Sequence, residues 1–271
     1  MLELNKIYCG DSSIILKEIE DETIDLVVTS PPYNDLRKYH GSLDNWNEQT
    51  FQKIALELIR VLKKGGVIVW NINDKVENGS ETCTSFRQCL YFVDNGLKLN
   101  DTMIWLKENP MPEVKQPRYT QCFEYMFVFS KGKPKTFNPI MRECKSANKH
   151  YKSTVKIIGG ENGRKDIDYF VNKETTDYNI WKMAVAKNKT LYNVDGEMIK
   201  HPAVFPYALP FRHIKSWTNE NDIVLDPFAG SGTTLIAAKD LNRKYIGIEQ
   251  NEKYCKLINL RLNKKEEHTN D

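Results

Sequence analysis

The segment Ser30-Pro31-Pro32-Tyr33 places a hydroxyl, two prolines and an aromatic ring directly after an apolar run. Proline fixes φ and has no amide hydrogen, and the residue before a proline is driven towards extended geometry. A stiff, extended elbow is therefore expected. A flat heterocycle with an amino group can stack on Tyr33 while Ser30 Oγ and the Pro31 carbonyl accept its amino hydrogens. Two such acceptors favour a tetrahedral nitrogen and offset the positive charge that develops as it attacks an electrophile. In isolation, an ordinary proline turn with a packing tyrosine explains the same residues.

A second candidate site is the sequence IVLDPFAGSGTT at 223–234, which predicts a strand, a glycine turn and a helix. Gly230 and Gly232 allow a ligand to approach the backbone closely, and the free amides of the following helix favour an anionic group. Glu249 ends the next predicted strand, 23 residues after Asp226. An acidic side chain at that place can accept hydrogen bonds from both hydroxyls of a ribose. The two features together predict a nucleoside ligand.

The details of this turn separate the nucleoside classes. A phosphate-binding loop needs a lysine before its Ser or Thr, but Thr233 and Thr234 directly follow Gly232. An NTPase is therefore disfavoured. A dinucleotide fingerprint needs a third glycine, and Leu235 takes that place. A strand–turn–helix junction without any ligand remains the structural alternative.

These sites need a scaffold that brings strand ends together, and the chain alternates apolar strands with amphipathic helices. The predicted fold class is α/β, a doubly wound and mostly parallel sheet. Lys63-Lys64-Gly65-Gly66 is expected to end the second helix, and Pro210 to break the helix in which it lies. Helices are predicted at 12–19, 50–62, 80–95, 205–217, 233–241 and 251–263, and strands at 24–29, 67–72, 102–106, 124–129, 222–225 and 244–248.

The composition of the 271 residues excludes several classes of protein. Hydrophobic residues make up 40% of the chain, but no apolar run is long enough to span a bilayer, and the N-terminus lacks a signal-peptide pattern. The six cysteines form no C-x-x-C pair, so neither a zinc site nor a disulfide framework is indicated. We expect a cytoplasmic protein that has no membrane segment and no metal.

The charge distribution singles out one segment. Residues 131–200 contain 15 Lys or Arg and 8 Asp or Glu, whereas the rest of the chain has a small acidic excess. The alternation of strands and helices also fails at 132–195, where Tyr, Trp and Ile nevertheless recur. This region is expected to be an ordered insertion, and its positive balance is compatible with a polyanion or with a solvated lysine-rich surface.

The elbow SPPY and the turn DPFAGSGTT together resemble the S-adenosylmethionine-dependent DNA amino methyltransferases, which methylate cytosine N4 or adenine N6. Their order along the chain is similar to that of the beta class. Gly10-Asp11, the stretch WLKENPMP at 105–112, Phe123-Glu124-Tyr125 and the stretch HPAVFP at 201–206 fit the same pattern. The resemblance implies a Rossmann-like methyltransferase fold with a catalytic domain in two parts, 1–131 with the base pocket and 196–271 with the cofactor-binding half, and a target recognition insertion at 132–195.

The resemblance also implies a role for each matching residue. S-adenosylmethionine is the expected cofactor, with Glu249 on the ribose, Asp11 near the adenine and 201–203 near the methionine part. Ser30, Pro31, Pro32 and Tyr33 are the expected catalytic residues of a pocket for a flipped base. The expected cofactor-binding residues are Asp11, His201, Pro202, Ala203, Asp226, Phe228, Gly230, Gly232, Thr233, Thr234 and Glu249. The expected DNA-binding residues are Arg37, Lys38, Lys145, Lys149, Lys152, Lys156, Arg164 and Lys165.

The expected partner is double-stranded DNA, with a possible cognate restriction endonuclease, and the chain is expected to be a monomer or a homodimer. Within the resembled family, Ser at the head of the tetrapeptide is associated with cytosine N4, so that base is favoured over adenine N6. Other interpretations are an enzyme acting on RNA or protein glutamine, whose tetrapeptide begins with Asn, and a DNA-binding relative without catalysis. Ser30 disfavours the first, and the intact site residues disfavour the second.

Overall fold

A computed structural model describes residues 2–32, 46–112, 117–156, 164–185, 192–194, 196–199 and 205–263. The chain forms two compact units. The larger one consists of Met1–Asn138 and Asn179–Asp271, and the smaller one of Pro139–Tyr178. The smaller unit lies inside the predicted insertion and is shorter than it at both ends.

The larger unit is built on an eight-stranded sheet. Its strands are β1 Lys6–Cys9, β2 Ile24–Thr29, β3 Leu62–Ile72, β6 Lys98–Lys107, β7 Phe123–Ser130, β12 Ile180–Met183, β15 Ile223–Asp226 and β16 Lys244–Glu249. Their order across the sheet is β1-β16-β15-β2-β3-β7-β6-β12. Only β7 runs antiparallel to its two neighbours, so the predicted mostly parallel sheet is confirmed.

The larger unit also contains six α-helices and two short hairpins among its described residues. The helices are α1 Ser12–Ile15, α2 Glu48–Val61, α3 Thr84–Asp94, α4 Ala208–Trp217, α5 Thr233–Asp240 and α6 Glu252–Asn263. The hairpins are β4 Val76–Glu77 with β5 Ser80–Glu81, and β13 Tyr192–Val194 with β14 Glu197–Ile199. In the core, Phe51 of α2 and Phe92 of α3 pack on Trp70 of β3. This aromatic packing fixes the two helices against one face of the sheet.

Three local predictions were wrong. Helix α2 ends at Val61, one residue before the predicted end, but β3 begins at Leu62 rather than at the predicted residue 67. The segment Lys63–Gly66 belongs to this strand, and the Gly65 amide donates to the Lys131 carbonyl. Helix α3 begins at Thr84 because β5 pairs with β4 ahead of it. Helix α4 is not broken at Pro210, since proline in the first turn of a helix removes no intrahelical hydrogen bond.

The smaller unit is a two-stranded antiparallel ribbon. Strands β8 Met141–Glu143 and β11 Glu174–Thr176 form its first part, and β9 His150–Lys156 and β10 Arg164–Phe170 its second. A turn at 145–148 interrupts one strand, and backbone hydrogen bonds from Cys144 to Lys173 and from Val171 to Lys149 join the two parts. None of residues 139–154 and 166–178 is buried. The ribbon therefore has no hydrophobic core among its described side chains.

Within the described ranges, none of the helices has the length and apolar character that crossing a bilayer requires. The same residues contain no group of three His, Cys, Asp or Glu side chains arranged to hold a metal ion.

Candidate active site

The elbow and the glycine turn lie at the same edge of the sheet. Strands β2 and β15 are adjacent and parallel, with Val27 opposite Leu225, so their carboxyl ends meet. At that edge the Thr29 hydroxyl donates to Asp226 Oδ1 at 2.6 Å. Both side chains are buried. In parallel sheets ligands bind at the carboxyl ends of the strands, so this edge is the candidate active site.

Asp226 organises the start of the glycine turn. Its Oδ1 also accepts from the Phe228 amide at 3.1 Å. Burial raises the pKa of Asp226 to about 6, and hydrogen bonds from Thr29, Thr234 and the Phe228 amide oppose that rise. A carboxyl group with these donors fixes the direction in which the chain leaves β15.

The turn itself requires glycine for two reasons. Gly230 has φ 54° and Gly232 has φ 82°, in the left-handed region that side chains disfavour. A Cβ on Gly232 would also lie 3.0 Å from two side-chain carbons of Ile258 on α6. Arg261 of α6 donates to the Ser231 carbonyl at 2.6 Å. Helix α6 therefore packs against the glycine turn through Ile258 and Arg261.

Glu249, at the end of β16, faces the glycine turn. Its Oε2 accepts from the Gly230 amide and its Oε1 from the Asn251 amide, each at 2.8 Å. Burial raises the pKa of Glu249 to about 7, the hydrogen bonds oppose the rise, and the charge of Asp226 adds to it. Each carboxylate oxygen has a further lone pair, so the oriented group can still accept two hydroxyl hydrogens.

The two flanks of this site are an aromatic pair and the start of α1. Phe228 is half-buried and meets the Trp46 ring edge-on at 5.3 Å. Asp11 caps α1 by accepting from the Ser13 amide at 2.7 Å, and the Ser12 hydroxyl donates to the Pro227 carbonyl. These contacts place the start of α1 beside the turn that follows β15.

Comparison with known proteins identifies this arrangement. A family model described as DNA methylase, covering N6 and N4 enzymes, matches residues 24–260. The chain belongs to this DNA methylase family.

Two curated proteins illustrate the relationship. The DNA methylase is 47% identical over 250 residues to the orphan methyltransferase M.BamHII of Bacillus amyloliquefaciens, with 91% of each chain covered. It is 31% identical over 266 residues to the DNA adenine methyltransferase YhdJ of Escherichia coli K12. That alignment covers 94% of this chain and 81% of YhdJ.

Two solved structures share the fold. The PvuII cytosine-N4-specific DNA methyltransferase superposes with a TM-score of 0.68 at 22% identity, covering 94% of this chain and 85% of the other. The M1.HpyAVI–SAM complex gives 0.62 at 23% identity, covering 95% and 99%. These likenesses confirm the predicted Rossmann-like fold of the DNA methylase.

The structure brings together part of the predicted site. Ser30, Pro31 and Pro32 follow β2 at the shared edge, with Asp226, Phe228, Gly230 and Glu249 beside them. Thr233 and Thr234 begin α5, and both are buried; the Thr234 hydroxyl donates to the Val28 carbonyl at 3.3 Å. The predicted residues Tyr33, Arg37, Lys38, His201, Pro202 and Ala203 lie outside the described residues.

The predicted DNA-binding residues of the insertion all belong to the ribbon. Lys145, Lys149 and Lys152 are exposed there. Lys156 ends β9, and Arg164 and Lys165 begin β10, where Arg164 pairs with Lys156 and Lys165 with Val155. Their roles stay predictions.

Sequence reasoning missed Thr29, Trp46 and Ser12, although each touches the candidate site. Their partners are distant in sequence, 197 residues for Thr29 and 215 for Ser12, so no local spacing connects them. The available signal was Thr29 itself, a polar residue at the end of a mostly apolar strand.

Proposed function

We propose that this DNA methylase transfers a methyl group from S-adenosylmethionine to the exocyclic amino group of a base flipped out of double-stranded DNA. The observation that carries the proposal is the adjacency of the Ser30-Pro31-Pro32 elbow and the glycine turn at one sheet edge, joined through Thr29 and Asp226. A base held by the first and a donor held by the second meet at that edge.

The residues of the glycine turn suit S-adenosylmethionine. Glu249 offers two oriented carboxylate oxygens to ribose hydroxyls, and the half-buried Phe228 offers an apolar contact. Gly230 lets the ligand approach the backbone, and Asp11 lies at the start of α1, whose Ser12 bonds to the turn. When bound, the cofactor supplies a methyl group already activated by positively charged sulfur. The chain then needs to position the two reactants and stabilise charge.

The elbow prepares the amino group. Ser30 Oγ and the Pro31 carbonyl accept the amino hydrogens, and Tyr33 stacks on the ring. This orientation directs the nitrogen lone pair towards the donor and offsets the charge that develops on nitrogen. Ser30 is too weak a base to take the proton finally lost, so that proton passes to solvent and Ser30 acts as an orienting group.

The ribbon is the proposed target recognition element within 132–195. A two-stranded ribbon has marginal stability in water, and this one has no buried described side chain. Its strands lie about 5 Å apart, and the major groove of B-DNA, about 12 Å wide, admits such a ribbon. Lys145, Lys149 and Lys152 are exposed on it and can contact phosphates. Arg37 and Lys38, which follow the elbow in sequence, are proposed to contact phosphates beside the flipped base.

Cytosine N4 is the proposed target because Ser30 heads the tetrapeptide, and adenine N6 is the alternative. The test is to incubate duplex DNA with enzyme and methyl-labelled S-adenosylmethionine, digest it to nucleosides and identify the labelled one by mass spectrometry. Labelled N4-methyl-2′-deoxycytidine supports the first choice and labelled N6-methyl-2′-deoxyadenosine the alternative. Bound cofactor without any labelled nucleoside would instead support a DNA-binding relative that has lost catalysis.

A cognate restriction endonuclease is a further proposed partner, supported by relatives named type II methyltransferases, such as M.BglII. Protection of methylated DNA against cleavage by an endonuclease encoded beside it tests this proposal. We propose a monomer or a homodimer, which sedimentation with and without DNA distinguishes. We propose a cytoplasmic location, which the proposed DNA substrate supports, and fractionation of cells tests it.

A further inference from the structure

A second group of buried polar side chains lies at the same edge of the sheet, outside the cofactor half. Lys107 Nζ is 2.8 Å from Glu124 Oε1, and Asn71 Nδ2 donates to Glu124 Oε2 at 2.8 Å. The side chains of Lys107 and Glu124 are only 17% and 10% exposed, and Asn71 is buried. Removing two charges from water costs free energy that their attraction repays incompletely. Such a cluster is therefore poorly explained by stability alone.

Sheet topology places this cluster beside the base pocket. The three residues come from β3, β7 and β6, which follow β2 in that order across the sheet. Asn71 is one residue from the end of β3, Lys107 ends β6, and Glu124 is the second residue of the antiparallel β7. All three therefore lie at the carboxyl edge where Ser30 follows β2.

Register and pleat bring Asn71 next to Ser30. Thr29 pairs with Trp70 in the parallel β2–β3 ladder, so the following residues, Ser30 and Asn71, are neighbours across the two strands. Trp70 points to the face covered by Phe51 and Phe92, and Asn71 therefore points to the other face. Ser30 precedes a proline, which favours extended geometry and directs its side chain to the face of Asn71.

We propose that Asn71, Glu124 and Lys107 are positioning residues of the base pocket, holding the Ser30 side of the elbow in the geometry that accepts the amino hydrogens. Glu124 fixes the orientation of the Asn71 side-chain amide, because only the NH2 group of Asn71 can donate to a carboxylate. Lys107 keeps the second carboxylate oxygen engaged, so Glu124 cannot turn. The inference rests on the proposed function, since it assigns the cluster to the pocket of that reaction.

The decisive substitution is Glu124→Gln. An amide keeps the shape but has one acceptor oxygen, so its NH2 group must face either Asn71 or Lys107. We expect kcat for methyl transfer to fall about 10- to 100-fold, the scale on which small misplacements act. The Kd for S-adenosylmethionine should stay within about 2-fold, because the glycine turn makes no contact with these three side chains in the proposed assignment.

A matched control lies at the opposite edge of the same sheet. Asp25 of β2 pairs with Lys63 of β3 at 2.6 Å, and its side chain is equally buried. Asp25→Asn should lower the melting temperature as Glu124→Gln does, but leave kcat unchanged.

In the Glu124→Gln background, Lys107→Met removes the competing donor, so the amide oxygen can face Asn71. Part of the lost kcat should return.

Three outcomes would overturn the inference: wild-type kcat in Glu124→Gln, an equal loss of kcat in Asp25→Asn, or a parallel loss of cofactor affinity in Glu124→Gln. A cluster that binds DNA phosphate instead would raise KM for DNA in Lys107→Met alone while sparing kcat, which also contradicts the proposal. Methyl transfer by the wild type is measured in the same series. If the wild type transferred no methyl group, both the proposed function and this inference would be wrong. If the wild type is active, a contradictory result in the variants rules out only the role of the cluster.

Discussion

Thr29 and Asp226 are 197 residues apart in the chain, yet the hydroxyl of one donates to the carboxylate of the other at 2.6 Å. This contact joins the strand that ends in the proline elbow to the strand that ends in the glycine turn. It directly connects the two halves of the candidate active site.

Thr29→Val tests this connection, because valine keeps the shape but lacks the hydroxyl. The buried Asp226 then loses a donor, which should lower the free energy of unfolding by about 1–3 kcal/mol and weaken cofactor binding. Denaturant unfolding and calorimetric titration measure the two effects. Thr29→Ser retains the donor and should behave nearly as the wild type; a Thr29→Val protein with unchanged stability would contradict the structural role.

The pKa of Glu249 predicts opposite pH dependences for binding and stability. Accepting two ribose hydroxyls needs the carboxylate, so cofactor affinity should rise as pH increases through about 7. Glu249→Gln should abolish this dependence, and Glu249→Ala should weaken the cofactor at every pH. Titrations of the wild type and both variants with cofactor, from about pH 5.5 to about pH 8.5 in steps of about one unit, measure these affinities. A wild-type affinity that does not change with pH would count against the ribose role.

For stability the sign is reversed. The folded protein raises the pKa of Glu249 from 4.5 to about 7 and that of Asp226 from 3.8 to about 6, so folding favours their protonated forms. Their stabilising contribution is complete below the ordinary values and is lost as pH rises through the raised ones. Denaturation of the cofactor-free protein should show this fall, and Glu249→Gln should make it shallower.

Gly232→Ala tests the packing of the glycine turn on α6. The added methyl group is penalised by the positive φ and by its 3.0 Å approach to Ile258. Gly132 has nearly the same φ, 83°, but open space around a Cβ, so Gly132→Ala reports the backbone penalty alone. Gly232→Ala should cost about 1–3 kcal/mol more than that control. Equal losses in the two variants would mean that α6 moves aside without cost.

Tyr33→Ala separates the base pocket from the cofactor site. Loss of the stacking surface should remove most methyl transfer, while the affinity for S-adenosylmethionine stays near that of the wild type. Tyr33→Phe preserves stacking and should remain active. Single-turnover methylation and cofactor titration give the two readouts. If cofactor affinity fell as far as activity, the assignment of Tyr33 to the base pocket would be wrong.

Sequence patterns predicted the elements well where local composition alone determined the secondary structure. The mostly apolar run Ile24–Thr29 became β2 with the predicted bounds, because a strand buried on both faces is predominantly apolar; Asp25 and Thr29 are its two polar residues. Helix α5 likewise begins at the predicted Thr233, directly after Gly232. Local composition was sufficient in both cases.

Prediction failed where a partner elsewhere in the chain decided the outcome. The two glycines at 65 and 66 resemble a helix stop, but the Lys131 backbone hydrogen-bonds to both and keeps them in β3. The ribbon at 139–178 was predicted only as part of an ordered insertion at 132–195 with no strands assigned, since hairpin register depends on pairing that no periodicity in this polar segment reveals. Thr29, Ser12 and Trp46 entered the site through contacts of the same long-range kind.

The pairing of β1 with β16 has an evolutionary implication. The first strand lies parallel to the last one, and α6 packs against β1. A rearranged chain in which the segment from residue 205 to α6 preceded β1 would keep every strand neighbour of this sheet while presenting the glycine turn ahead of the proline elbow. The order of the two motifs along the chain is therefore independent of their positions as neighbours at the edge of the sheet.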